Sequence, residues 1–129
     1  MTPPIVEACS QSTAVTALLG TGAGMRLYSF GEAPDNVVKP YVVWQLVNGS
    51  PENYLAGRPD VDGFTLQVDV YGSTGVSARS VRDAIRDAIE LLAYVTRWGG
   101  ETRDPTTKNY RISFDVDWIV RRLQVGEVP

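Results

Sequence analysis

Two segments in which apolar and polar residues alternate place the strongest constraint on how this chain can fold. In residues 63–71 the apolar members are Phe64, Leu66, Val68 and Val70. In residues 110–122 they are Ile112, Phe114, Val116, Trp118 and Val120. Because successive side chains of a β-strand point to opposite faces, each segment predicts a strand with one apolar and one polar face. Such strands belong in a sheet that is covered on one face only.

Three further segments predict β-structure. Residues 41–47 are rich in β-branched and aromatic residues, residues 94–98 have a similar composition, and a short strand is predicted at residues 25–28. The polar residues 48–62 predict a long loop, and residues 99–109 predict another. Because long ordered loops are often functional, both are candidate contact segments.

Apolar residues at helical spacing predict two helical regions. The first covers residues 5–19, where Ser12 is expected to separate two short helices and cap the second, which ends at Gly20. The other region covers residues 78–92, and its polar side is expected to form a solvated face. Its predicted buried members are Val81, Ala84, Ile85, Ala88, Leu91 and Leu92.

The order of these elements predicts an α+β fold. We expect an antiparallel sheet of about four to five strands with helices packed on one face. Residues 1–122 are expected to form a single domain, and residues 123–129 are expected to form a C-terminal tail.

The composition of this 129-residue chain excludes several classes of chemistry. The chain lacks histidine, which excludes histidine acid–base catalysis and histidine metal sites. The single cysteine, Cys9, precludes an internal disulfide and is expected to fill the core. Twelve basic residues against 15 acidic ones give a net charge of −3, which disfavours a protein that grips nucleic-acid phosphates. Neither a membrane span nor a secretory signal is predicted, so assembly in a cytosol is expected.

Three aspartates are the candidate chemical residues of the sheet. Asp69, Asp115 and Asp117 fall at polar positions of the alternating segments and are expected on the face away from the helices. Asp115 and Asp117 would lie about 6–7 Å apart along one strand, a separation at which two carboxylates can hold a divalent cation or act as acid and base. The other interpretation is a hydrated acidic face. No residue is assigned to catalysis, to a cofactor or to a metal, because the sequence places nothing beside these carboxylates that would desolvate one of them.

Six short phrases of the sequence form a recognisable series. They are AVTALLG at 14–20, RLY at 26–28, AP at 33–34, PYVVWQ at 40–45, LQVDVY at 66–71 and SFDV at 113–116. Together with the helix at residues 78–92, they resemble the tail-completion or tail-terminator family of long-tailed bacteriophages. The resemblance covers roughly residues 4–120 in order, and it rests on spacing and soft motifs without a catalytic signature.

This resemblance implies a structural virion protein of the tail neck, without enzymatic activity or cofactors. Members of the family cap the head-proximal end of the tail tube and provide the surface to which the connector of the head joins. The implied assembly is a homo-oligomeric ring, usually hexameric, stacked on the major tail tube protein. The genome DNA passes through the ring without specific binding. The long strand at residues 110–122 is compatible with a ring, because its edges need partners.

Two sets of residues are expected to serve this function. Tyr54, Leu55 and Arg58 in the loop at 48–62 are residue types that anchor protein interfaces.

The three aspartates form the second set, and they are expected to look into the channel. There Asp69, Asp115 and Asp117 would repel DNA over a Debye length of roughly 8 Å. An ordinary solvated outer surface is the alternative for this face. For the whole protein, the alternatives are a small cytosolic protein-binding module and a carboxylate-dependent metal-binding enzyme.

Overall fold

The two alternating segments lie side by side within a five-stranded sheet. The computed structural model describes residues 3–51 and 61–121. No helix within these two ranges is both long enough and apolar enough to cross a membrane. The elements in chain order are α1 (Ile5–Ser10), α2 (Thr13–Leu19), a 3-10 turn (Gly22–Gly24), β1 (Leu27–Ser29), β2 (Tyr41–Pro51), β3 (Val61–Gly72), α3 (Gly75–Ile89), β4 (Ala93–Arg103) and β5 (Tyr110–Arg121).

The strands of the sheet lie in the order β1-β2-β3-β5-β4. All neighbours are antiparallel except β1 and β2, which run parallel with Leu27 opposite Val42. The predicted α+β fold is therefore confirmed, with a sheet that is mixed rather than wholly antiparallel. The reason is the connection at residues 30–40, which returns the chain to the end of the sheet at which β1 began.

One face of the sheet and the three helices enclose the core. Val68 of β3 stands opposite Phe114 of β5, and both are fully buried. The sheet and α3 bury most of the apolar residues that the sequence predicts, whereas Phe64, Ala88 and Val120 are half-buried. Each fully buried aliphatic side chain contributes about 1.5–3 kcal/mol. The core members of β3, β5 and α3 are Leu66, Val68, Val70, Ile112, Phe114, Val116, Trp118, Ala78, Val81, Ala84, Ile85 and Ile89, to which α1 and α2 add Ile5, Cys9, Val15 and Leu19.

The break between α1 and α2 occurs where the sequence predicts it. The Ser12 side chain accepts a hydrogen bond of 3.3 Å from the backbone N–H of Val15, which caps α2. Gly20 ends α2 with a φ of 96°, a conformation that L side chains rarely adopt. The two short helices can therefore turn relative to each other, and both contribute side chains to the core.

The prediction that Leu91 and Leu92 are buried is wrong. The two side chains are 94% and 57% exposed. Because α3 ends at Ile89 and Glu90 is its C-cap, the apolar spacing continues into a turn whose geometry no longer follows the helix. An exposed pair of leucines therefore lies between α3 and β4.

The predicted loops are shorter than the sequence suggests. Strand β2 continues to Pro51, β3 begins at Val61, and β4 continues to Arg103. Residues of low β-propensity are held in these strands because the neighbouring strands supply hydrogen-bond partners. Residues 52–60 of the predicted loop at 48–62 lie outside the described residues, as do residues 122–129.

Gly99 marks a close approach between β4 and β5. A Cβ atom at this position would lie 2.6 Å from the carbonyl oxygen of Ser113 and 3.1 Å from the Ser113 Cβ. The register between β4 and β5 is irregular here, between Trp98 and Glu101. The absence of a side chain thus lets β4 remain beside β5 through this irregularity.

We expect Gly99→Ala to lower the free energy of unfolding by about 1–3 kcal/mol, because the added methyl group must displace the backbone of β5. Gly100→Ala is the matched control. A Cβ at Gly100 has no atom within 4 Å, so this change should alter stability by less than about 0.5 kcal/mol. Urea unfolding of both variants tests the prediction, and equal stabilities would contradict it.

Candidate functional site on the open face and edges of the sheet

The face of the sheet opposite the helices, here called the open face, is polar along β3 and β5. Each of its residues alternates with a buried core residue. The three aspartates of the sequence prediction all lie on it. The pairs that face each other across β3 and β5 are Thr65 with Asp117, Gln67 with Asp115, Asp69 with Ser113, and Tyr71 with Arg111.

Asp69 is a structural residue of the open face rather than a hydrated acid. The residue is only 8% exposed. Its carboxylate accepts a hydrogen bond of 3.1 Å from Nη2 of Arg111 and two from Nε2 of Gln67, at 3.2 and 3.3 Å. The sequence interpretation of a hydrated acidic face is therefore wrong for Asp69, because the register places a guanidinium and an amide beside it.

The other two aspartates also have partners. Oδ2 of Asp115 lies 3.6 Å from Nη1 of Arg97, and the Asp115 side chain is 22% exposed. Oδ1 of Asp117 accepts a hydrogen bond of 2.8 Å from the Thr65 hydroxyl, and this aspartate is exposed. The open face thus carries mixed charges, and its exposed acidic character is concentrated at Asp117.

The described chain offers little for metal or thiol chemistry. No group of three or more Cys, Asp or Glu residues in it could hold a metal ion, and the three aspartates each have a separate partner. Burial raises the pKa of the Cys9 thiol to about 12. Cys9 is therefore a neutral core residue near pH 7, as its position in the apolar stripe predicts.

The sequence did not predict the aromatic stack that lies next to Asp69. The rings of Tyr41 and Tyr71 are stacked, with centroids 4.8 Å apart and an angle of 13° between their planes. Burial, followed by the charge of Asp69, raises the pKa of Tyr71. Only the pairing of β2 with β3 could have indicated this contact, because 30 positions separate the two tyrosines in sequence. The stack and the Asp69–Arg111 pair thus lie together at this end of the open face.

Both edges of the sheet have stretches without a partner strand among the described residues. Strand β1 pairs only with Val42, Val43 and Trp44, so within residues 3–51 and 61–121 the outer side of β2 has no partner from Gln45 onward. Within the same ranges, no strand pairs with the outer side of β4. Open edges of this kind are a template for pairing with another chain.

Exposed apolar side chains accompany both of these edges. Leu46 and Val47 of β2 are 49% and 48% exposed, and Tyr94 of β4 is 72% exposed. The exposed Leu91 and Leu92 immediately precede β4. The predicted interface residues Tyr54, Leu55 and Arg58 lie outside the described residues.

A sheet with one covered face, two open edges and exposed apolar residues along both is the architecture of a subunit of a larger assembly. The family model "Tail completion protein gp17" matches residues 3–121, and the chain belongs to this family. It is accordingly a structural protein of the phage virion tail that takes part in head–tail joining.

Two solved structures share the fold. A chain from the virion of a native gene transfer agent particle is 15% identical, with 91% of each chain covered and a TM-score of 0.65. The gp17 protein of bacteriophage SPP1 is 12% identical, with 96% of this chain and 88% of that chain covered and a TM-score of 0.56. The likeness shows that the α+β arrangement persists although few residues are shared.

Asp69→Ala should lower the free energy of unfolding by about 2–3 kcal/mol, because it leaves the partly buried guanidinium of Arg111 without its carboxylate. Asp117→Ala is the matched control on the same face. It removes one exposed hydrogen bond and should cost less than about 1 kcal/mol. Chemical denaturation of the two variants distinguishes a structural Asp69 from a surface acid, for which the two costs would be equal.

Proposed function

We propose that copies of this chain form a closed ring, with six subunits, that caps the head-proximal end of the tail tube. The opposite side of the ring would then receive the connector of the head. The observation that carries this proposal is the pair of open edges, which lie on opposite sides of one sheet. Family membership and the solved virion chain of the same fold support it.

A ring is the assembly that best satisfies these two edges. A two-fold dimer would join like edges and leave the other edge of each copy open. When unlike edges join, a linear row of subunits keeps one free edge at each of its two ends. Closing the row into a ring pairs these two remaining edges with each other. The free protein is expected to be monomeric at low concentration and to assemble on the end of the tube.

The major tail tube protein and the connector are the proposed partners of the ring. We assign Tyr54, Leu55 and Arg58 to contacts with one of them, because these residue types anchor interfaces. The exposed Leu91 and Leu92 extend the available apolar surface at the turn between α3 and β4. No enzymatic step, cofactor or metal is proposed, and the separate partners of the three aspartates support this assignment.

The open face is proposed to line the DNA channel. Asp69 and Asp115 are paired with Arg111 and Arg97, and Asp117 has no basic partner among these contacts, so the surface is polar without a strong positive field. Such a wall would let the phosphate backbone pass without specific binding. Asp117, which is exposed, would contribute the repulsion over roughly 8 Å at physiological salt.

We expect the purified protein to appear as rings on tail tubes of the phage that encodes it. Negative-stain microscopy of tube ends detects the ring, and native mass spectrometry gives its number of subunits. Bare tube ends after mixing, or dimers in both experiments, would contradict the proposed function.

Asp115→Lys together with Asp117→Lys should slow DNA ejection and give the isolated ring a new affinity for DNA, because the channel wall becomes positive. Asp83→Lys with Asp87→Lys is the matched control. These two aspartates are exposed on α3, on the other side of the sheet, so the same charge change should leave ejection unaltered. Normal ejection from correctly assembled particles of the first variant would show that the open face does not line the channel.

A further inference from the structure

The unpaired parts of the two sheet edges lie at the same height along the strands. One row of paired residues crosses the sheet from β2 to β4 through Leu46, Leu66, Val116 and Val95. The neighbouring row crosses it through Asn48, Thr65, Asp117 and Tyr94. Residues 46–48 of β2 are therefore level with residues 94–95 of β4. A rotation of one copy about an axis parallel to the strands would bring these two stretches together without a large shift along the axis.

The directions of the two edge strands also fit such a contact. The antiparallel steps from β2 to β3, β5 and β4 make β2 and β4 run in opposite directions. When β4 of one copy lies beside β2 of the next, the two strands are therefore antiparallel. The open faces of both copies then lie on the same side of a continuous sheet, as a ring with this face toward the channel requires.

Other features restrict where the pairing can occur. Strand β1 already occupies the outer side of β2 at Val42–Trp44, which leaves only the later residues of β2 free. In β4 the irregular positions lie between Val95 and Arg97 and after Trp98, so the regular stretch is the beginning of the strand. Both restrictions select the same end of the sheet.

Exposed apolar residues lie on both sides of this stretch. Leu46 and Val47 are about half exposed on the β2 edge, and Leu92 and Tyr94 are 57% and 72% exposed on the β4 edge. Pairing would satisfy the backbone groups of both edges and would shield part of these side chains from water. The same chain thus provides both halves of an apolar, hydrogen-bonding contact.

We propose that neighbouring subunits join by antiparallel pairing of the beginning of β4 in one copy with residues 46–49 of β2 in the next. This inference rests on the proposed ring and specifies its contact. At this end of the sheet, beyond β1, the sheets of all subunits then form one closed band, with the open face on one side and the helices on the other. Because closing a sheet staggers its strands, Asn48 of one copy lies opposite Tyr94 of the next or opposite Leu92, two residues earlier in the chain.

Cysteine cross-linking on assembled tube ends tests this contact. The double variants Asn48→Cys/Tyr94→Cys and Asn48→Cys/Leu92→Cys place thiols on the two edges, and the buried Cys9 is retained. Within one copy, three strand spacings separate Asn48 from Tyr94, about 14 Å, which is too far for a disulfide. On mild oxidation, at least one variant should shift most of its protein from monomer to a ladder of covalent multimers ending at the ring size.

Asn48→Cys/Thr102→Cys is the matched control. Thr102 is exposed on the same strand, opposite Arg111 in register, and is therefore more than about 20 Å along β4 from the proposed contact. The control variant should remain monomeric on denaturing gels. Two results would overturn the edge pairing without contradicting the proposed ring. In the first, rings are visible on tube ends but neither test variant forms a cross-link. In the second, the control variant cross-links as much as the test variants. Tube ends without wild-type rings would instead overturn the proposed function.

A charge exchange tests the same contact without cysteine chemistry. Asn48→Lys/Tyr94→Lys places like charges on the two edges and should abolish capping of tube ends. Asn48→Lys/Tyr94→Glu places opposite charges there and should retain capping. All substituted positions are exposed, so circular dichroism of the monomers should match the wild type. Equal capping by the two folded variants would contradict the proposed contact.

Discussion

The burial of one apolar sheet face beneath α3 is the interaction on which the rest of the structure depends. Val68 and Phe114 face each other at its centre, and α3 adds Ile85 and Ile89 to the same core. Because side chains alternate along a strand, this burial fixes which residues appear on the open face. A register shift of one residue in β3 would carry Asp69 into the core, where its charge would be costly. The polar face is therefore a consequence of the apolar one.

The same packing explains why the edges of the sheet remain available. The helices cover a face, and a helix on a face leaves the outer hydrogen-bonding groups of the edge strands unsatisfied. Strand β1 covers only three residues of β2, and no strand of the described chain covers β4. A small tail protein can thus have a complete core of its own and still present edges with which another chain could pair. Stability of the monomer and assembly of the proposed ring would then rest on different surfaces.

The three aspartates occupy equivalent positions in the sequence pattern but different environments in the structure. In sequence, Asp69, Asp115 and Asp117 are equivalent polar positions on two strands. In the sheet, Asp69 is buried against Arg111, Asp115 lies near Arg97, and Asp117 is exposed beside Thr65. Apart from Gln67, which lies two residues from Asp69 on the same strand, their partners come from neighbouring strands, so spacing along one segment could not reveal them. Only Asp117 retains the exposed acidic character that the sequence suggested for all three.

The sequence by itself determined the α+β class, the buried set of β3 and β5, and the Ser12 break between the first two helices. These features follow from local periodicity and capping, which act over a few residues. Tertiary structure alone decided the parallel pairing of β1, the extension of β2 and β4 through residues of low β-propensity, and the exposure of Leu91 and Leu92. Each of these depends on contacts or on a chain turn that distant residues impose. Tertiary structure also decides that the unpaired parts of the two edges lie at the same position along the strands, because this depends on the registers of three strand pairs.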